Sequence, residues 1–482
     1  MNMNKATSVY LVFIMFCFHI GYGQIQLGET LDVIDNDFAY ANSVSTSFDG
    51  RRVAVAGYGK SEFGFRVYDY NGSNWHQVGA DIQTEHPDEV TGYKVALSAD
   101  GNRLVTSTIK FRTGFVRVYE LVNNNWIQLG STLYGESSLD IYGLVIAISS
   151  DGQRITSSAK FNNGSTGHAR VYEYNGNEWI QLGSDIDGDA SGNYFSTSLS
   201  LSGDGNRVAV GANQYYPNGL MRIFEFDGTD WIQLGTDLTG IESYDNFGVS
   251  ANLSYEGNRI IVGDNQTNAY TGYAKVFDFD GDDWVQVGDA LQGENIRDKF
   301  GLAVTISDEG NRVAVGAPSQ DDILNTELPG YVKVYELIDD NWVHIGIALY
   351  GEDVGGQFGS WLNISGDGSV LITGALNFTY KQSGTEVGYA KVYDLNTLLS
   401  LSDNTSSHKA IIIYPNPSSK YVYFSNSEFI NEIKLFNSIG QKIEIDRGTT
   451  NKIDISGLSN GVYHIQFLLD KNQIVNQKIL KN

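Results

Sequence analysis

Along Leu220–Phe226, LMRIFEF, Met221, Ile223 and Glu225 fall on one face of an extended chain and Arg222, Phe224 and Phe226 on the other. The alternation predicts a strand. Three more strands are expected around it, at Phe195–Ser202, Arg207–Ala212 and Trp231–Gly235. Asp204-Gly205 and Asp227-Gly228 separate the first strand from the second and the third from the fourth. Glycine accepts φ > 0, so both dipeptides read as tight hairpins. No segment carries a helical period with caps.

This unit recurs seven times at about 51 to 58 residues, the length of a four-stranded propeller blade. Its turn marker is Asp49-Gly50, Asp100-Gly101, Asp151-Gly152, Asp204-Gly205, Glu256-Gly257, Glu309-Gly310 and Asp367-Gly368. An apolar–aromatic pair such as Val67-Tyr68 or Val334-Tyr335 marks each third strand. Trp75, Trp126, Trp179, Trp231, Trp284 and Trp342 open the fourth strands and are the expected core anchors. The seventh unit lacks its Trp segment, and Ile25-Gln26-Leu27-Gly28 near the N-terminus matches the missing strand. The expected fold is therefore an all-β, seven-bladed β-propeller of four-stranded blades, its last blade closed by the N-terminal strand. Arginines after the turn marker, Arg52, Arg103, Arg154, Arg207, Arg259 and Arg312, are expected to pair with the third-strand acids Asp69, Glu120, Glu173, Glu225, Asp278 and Glu336 as scaffold.

The ends of the chain read differently. Residues 1–23 carry Lys5, an apolar run from Val9 to Ile20 and a small-residue end, the layout of a signal peptide cleaved before Gln24. The single cysteine, Cys17, lies in this leader, so the mature chain is expected to have no disulfide or thiolate site. No later apolar run is long enough to span a membrane as a helix. Residues 24–396 form the propeller, 397–410 a polar linker, and 411–482 a small β domain of immunoglobulin-like sandwich pattern. The net charge is −25; with +2 on 411–482 and +1 on the leader, residues 24–410 carry −28. So acidic a body argues against nucleic acid and anionic membranes as partners.

The blades resemble FG-GAP repeats, the units of the integrin α-subunit propeller, most literally at Phe300-Gly301 and Gly316-Ala317-Pro318. Here the family's calcium loop between strands 1 and 2 is replaced by short turns such as SGDGNR, with too few oxygen ligands for calcium, so its metal sites are not carried over. Asp185, Asp187 and Asp189 have calcium-like spacing but no matching glycine or glutamate. The C-terminal domain resembles the type A sorting domain of the Bacteroidetes type IX secretion system. The resemblance rests on Tyr414-Pro415-Asn416-Pro417, Gly440, the Leu458–Tyr463 run with Gly461 and Tyr463, and the basic tail. It implies export to the outside of the cell or its outer surface, with the type IX machinery as partner.

No GxSxG elbow, HExxH pair or phosphate-binding glycine loop is present, and the histidines are scattered. No catalytic residue, metal site or cofactor is assigned. In a propeller the strand 4–1 and 2–3 loops share one face, and all length variation between units falls in the 2–3 loops. That face is the expected binding surface, for a glycan or a surface protein. Its candidate contacts are Asp321, Asp322 and Glu327, then Phe378, Tyr380 and Lys381 from the two longest loops, with Tyr215, Tyr216 and Tyr270 nearby. Acids of the 4–1 loops, among them Glu136, Asp187, Asp189, Glu294 and Glu352, are expected to hold sugar hydroxyls. The alternatives to an adhesive binding module are an extracellular propeller enzyme acting on polysaccharide and a purely structural surface protein.

Overall fold

The computed structural model describes residues 24–32, 38–59, 64–82, 90–110, 113–137, 139–242, 245–319, 329–352, 356–375 and 388–396. Near the C-terminus it describes 413–414, 418, 420–424, 430–437, 441–443, 445, 452–469 and 474–481. The leader and the 397–410 linker lie outside these residues. Apart from two four-residue helical turns, Asn162–Ser165 and Thr267–Tyr270, the described elements are strands.

Among the described residues, 25–394 form seven antiparallel sheets of four strands, five of which gain a short fifth segment. In the fourth sheet the strands are Ser198–Leu201, Arg207–Ala212, Leu220–Phe226 and Trp231–Gln233; Leu238–Thr239 continues the last along Leu220–Phe226. The middle two strands pair from Arg207↔Glu225 to Ala212↔Leu220. The first strand begins later than the alternation predicts. Phe195 stands outside it as a buried plug, and Ser196 turns the chain at φ 66° before the strand starts.

Sequential sheets pack face to face around an axis lined by their first strands, the arrangement of a β-propeller. Three joints recur. A fourth-strand Trp donates its indole N–H to a carbonyl of the preceding sheet: Trp126 to Val78 at 3.0 Å, Trp179 to Leu129 at 2.9 Å, Trp231 to Leu182 at 2.7 Å. The expected arginine–acid pairs all form, from Arg259–Asp278 at 2.5 Å to Arg312–Glu336 at 3.2 Å. Each of these arginines also donates to the turn-glycine carbonyl of the following sheet, as Arg207 does to Gly257 O at 3.2 Å. The third joint is backbone glycine on glycine. A Cβ on Gly211 would lie 2.3 Å from Gly248 O, and one on Gly316 would lie 2.0 Å from Gly359 O, so neither position accepts a side chain.

Backbone hydrogen bonds also run round the turn face: Phe48 N to Ala99 O, Ala99 N to Ser150 O, Ser150 N to Gly203 O, then Asp204 to Tyr255, Tyr255 to Asp308 and Asp308 to Gly366. The circuit returns through Asp367 N to Phe48 O at 3.0 Å. The N-terminal strand Ile25–Gln26 pairs with Tyr389–Asp394, with Ile25 opposite Asp394. Just before it, Gln24 occupies the position of the missing Trp. Its side-chain amide donates to Ile345 O and accepts from Ile347 N, both at 3.1 Å.

The C-terminal residues form a separate pair of sheets. One contains Ile413–Tyr414, Tyr421–Phe424 and Lys452–Asp454; the other contains Lys442–Ile443, Ile430–Asn437, Gly461–Leu469 and Ile474–Lys481. Alternate residues of both, among them Val422, Phe424, Leu435, Ile453, Ile465 and Phe467, share one core.

Candidate functional site

Tyr215, Tyr216 and Tyr270 sit on 2–3 loops of adjacent sheets. Tyr215 is half-buried against the core of the fourth sheet, held by its N–H to Ala212 O at 3.0 Å. Tyr216 beside it is 73% exposed and Tyr270 47% exposed. Tyr270 ends a left-handed run, Asn268, Ala269 and Tyr270 at φ 53°, 57° and 66°, and its carbonyl accepts from Lys299 N at 2.8 Å. A non-glycine run at φ > 0 persists only where neighbours over-determine it, and here the adjoining 4–1 loop supplies that support. Asp321, Asp322, Glu327, Phe378, Tyr380 and Lys381 lie outside the described residues.

Of the five acids named on this face, Glu136, Asp189, Glu294 and Glu352 stand in ion pairs. Glu136 and Asp185 both take the Arg170 guanidinium, Asp185 at 2.7 Å. Arg222 holds Asp189 at 2.6 Å and Asp237 at 2.8 Å. Lys333 holds Glu294 and Lys391 holds Glu352, each at 2.5 Å. For these four the reading as free hydroxyl holders is corrected: third-strand cations, set one place before the apolar–aromatic pair, already claim them. The hydrogen bonds from Arg170 and Arg222 hold Asp185 and Asp237 below the usual carboxylate range. Asp185 and Asp189 answer to different arginines, so their calcium-like spacing does not become one site.

Glu136, His168 and Asp185 bring ligand atoms within 4.8 Å of one another. His168 is buried with Nε2 unpartnered, and burial lowers its proton affinity. Arg170, bonded to both carboxylates, occupies the place a cation would take, so the trio reads as a closed ion-pair knot.

What the sequence reading missed on this face is aliphatic. Leu139, Ile241 and Ile296 of three 4–1 loops, and Tyr134 in the short segment Leu133–Tyr134 of the second sheet, are exposed. Their isolation among polar loop residues was the available signal. Also missed was the axis, where the first strands of all seven sheets line a cavity of about 610 Å³. Lys94 from the second sheet and Trp361 from the seventh meet there, with Nζ 3.2 Å from the ring centroid.

In the C-terminal sheets, Tyr463 is buried and donates its hydroxyl to Ser459 O at 2.7 Å, and Gly461 opens its strand at φ 152°. Tyr414 pairs through its backbone with Tyr423. Pro415, Asn416, Pro417 and Gly440 lie outside the described residues.

Residues 412–482 match the family of secretion system C-terminal sorting domains. The chain is thus an all-β protein of propeller fold with a type IX sorting tail, and the tail is its point of contact with the type IX machinery. It is delivered to the cell surface or the extracellular space. No curated protein matches the chain. Solved structures similar to it include hydrazine synthase from Kuenenia stuttgartiensis, at 12% identity and TM-score 0.47, covering 70% of this chain and 94% of that one. A protein from Lactobacillus plantarum has 14% identity and TM-score 0.47, with 70% and 95% covered. The Dos1 propeller has 11% identity and TM-score 0.44, with 78% and 96% covered. Among the described residues no helix is long and apolar enough to cross a membrane.

Proposed function

We propose that the protein is an adhesive binding module: a seven-bladed propeller of FG-GAP type, residues 24–396, exported behind a signal peptide at 1–23. A linker at 397–410 joins it to an immunoglobulin-like sorting domain at 411–482. The glycine contacts between neighbouring sheets support the FG-GAP reading, because Gly248, Gly301 and Gly359 follow the buried phenylalanines while Gly211, Gly263 and Gly316 precede Ala or Asp.

The module binds through its loop face. The observation that carries this is the set of exposed apolar side chains there: Tyr134, Leu139, Tyr216, Ile241, Tyr270 and Ile296. Other exposed apolar residues, such as Ile127, Ile180, Ile232 and Val285, lie singly along fourth strands. Tyr216, Ile241, Tyr270 and Ile296 instead come from loops of the fourth and fifth sheets and the connections that follow them. Exposed apolar side chains on adjoining loops mark interaction surfaces. Because Glu136, Asp189, Glu294 and Glu352 are ion-paired in place, the face offers apolar contact with fewer free acceptors than its acids alone would suggest. That chemistry favours a surface protein over a glycan. Asp321, Asp322, Glu327, Phe378, Tyr380 and Lys381 would extend the same face.

The test replaces 318–330 and 376–388 with the short Thr108–Gly114 loop and, separately, combines Tyr216→Ser, Ile241→Ser and Ile296→Ser. Binding is then screened against surface proteins and glycans of the producing organism. Loss of protein binding by about ten-fold or more, equivalent to about 1.4 kcal/mol, with melting unchanged supports the reading. Full binding by both folded variants sinks it, and selective glycan binding replaces the partner class.

A further inference from the structure

Repetition supplies an internal control for each side chain facing the axis. Three residues after the opening position of each unit, five units place Ser, Val or Ala, and two place Lys94 and Trp361. Those two belong to the sheets flanking the first sheet, and their side chains meet across it. Lys94 Nζ also lies 3.4 Å from Asn42 O. Among the described residues no carboxylate pairs with Lys94. Its proton responds to burial alone, which brings the amine down to about 7. An ammonium taken from water without a counter-charge is costly, and the fold builds the same position with serine elsewhere. A desolvated lysine facing a cavity is the usual form of an amine kept ready to react. The axial cavity, at about 610 Å³, has the size of a small-molecule site.

We propose that Lys94 is the reactive amine of a site in the axial cavity that captures small aldehydes or ketones as an imine. The neutral Nζ lone pair attacks the carbonyl carbon, and the carbonyl π pair moves to oxygen. Oxygen gains a proton, nitrogen loses one, and the carbinolamine then expels water. The sum is R–CHO + H2N–Lys94 → R–CH=N–Lys94 + H2O, with no change of oxidation state. The protonated imine keeps a cation over the Trp361 ring, so Trp361 stabilises the adduct as it does the free ammonium.

The experiment treats the folded full-length chain with propanal and cyanoborohydride at pH 7.5 and maps N-propyl lysines by peptide mass spectrometry. A surface lysine is only about 0.1% neutral at that pH, whereas Lys94 is mostly neutral. Lys94 is therefore expected to label about 10- to 100-fold faster than the median lysine. That advantage should shrink about ten-fold per pH unit above about pH 8 as the other amines deprotonate, and should vanish in denaturant. Labelling of Lys94 no faster than the median, or an advantage constant with pH, overturns the proposal. Trp361→Leu guards against a purely structural explanation: faster labelling than the median with a less persistent unreduced adduct supports the site, and unchanged adduct lifetime removes Trp361 from it.

Discussion

The joints among the first six sheets and the two joints that flank the seventh are built from different chemistry. From the first sheet to the sixth, every joint has both a Trp indole on a carbonyl and an Arg on a turn glycine. Trp284 with Arg207 between the fourth and fifth is one example, at 2.9 and 3.2 Å. The joint between sixth and seventh keeps its arginine, Arg312 on Gly368 O at 3.0 Å, but has Gln24 in place of Trp. The joint between seventh and first keeps its Trp, Trp75 on Leu27 O at 2.7 Å, but has Val370 in place of Arg, packed against Gly50. Each flank of the composite sheet thus lacks one clamp. At the joint between seventh and first, Asn363 accepts from Thr46 N at 3.0 Å, and the backbone circuit closes there through Asp367 N on Phe48 O as it runs through the other joints. The regular joints are redundant. The seam depends on the N-terminal strand.

The sharpest way to break this contrast is to delete residues 24–28. That removes the strand opposite Tyr389–Asp394, the acceptor of Trp75 and the Gln24 clamp together. We expect several kcal/mol of loss and a fall in melting temperature on the order of 10 °C, measured by calorimetry. An unchanged melt would show that the seam does not hold the ring. Next in size, Trp231→Ala should cost about 3–5 kcal/mol in urea unfolding, whereas Gln24→Ala, which removes two hydrogen bonds at the seam, should cost about 1–2 kcal/mol. Equal losses would erase the distinction between clamps. Smaller still, Val370→Arg restores the missing side chain opposite Asp394, its register partner. A gain of about 0.5–1 kcal/mol is expected, and a loss would mean that apolar packing at Val370 outweighs the absent ion pair.

The smallest effect is electrostatic. Asp308, at the joint with the seventh sheet, has its carboxyl raised by burial and then by Asp367 and Glu309. A raised carboxyl destabilises the fold where it is ionised; that penalty begins to fall as the pH drops to its folded value and is gone below its ordinary unfolded value. Asp308→Asn should therefore stabilise the protein at pH 7 by under about 1 kcal/mol. The difference from wild type should shrink toward zero as the solution is acidified through the carboxylate range. A difference independent of pH would point to packing instead.

Much of this architecture is legible in the sequence. Arg207–Ala212 and Leu220–Phe226 have the expected bounds, because residues alternating between two buried faces fix both ends of a middle strand. The arginine–acid pairs were legible because cross-strand register turns two sequence positions into neighbours. The onset of the first strand was not: Phe195 is as apolar as a strand residue, but it is buried as a plug ahead of a left-handed turn. The rim acids were misread for a related reason. Within one unit nothing joins a loop carboxylate to a strand cation, and only the repeat shows them in step: Glu294 and Glu352 each stand six places after a fourth-strand glycine, and Lys333 and Lys391 each one place before the apolar–aromatic pair. Lys94 and Trp361 were invisible as a pair because they come from the second and seventh units, far apart in sequence and brought close only by closure of the ring, although as departures from the repeat each could have been noticed alone.

The pairing of Ile25 with Asp394 also sets an order of events. Joining the two ends of so long an unstructured chain would carry a large entropic cost, growing as about (3/2)RT ln n. If the sheets assemble one after another, each joint closes only a short loop, and the last leaves Ile25 already beside its partner. Ile25 and Gln26, made well before Tyr389–Asp394, are then among the last residues to be fixed. Until the final strand arrives they remain an unpaired edge, exposed to any other strand that reaches them first. In a chain bound for export, the interval before that strand arrives is when the protein is most easily kept open, captured or mispaired.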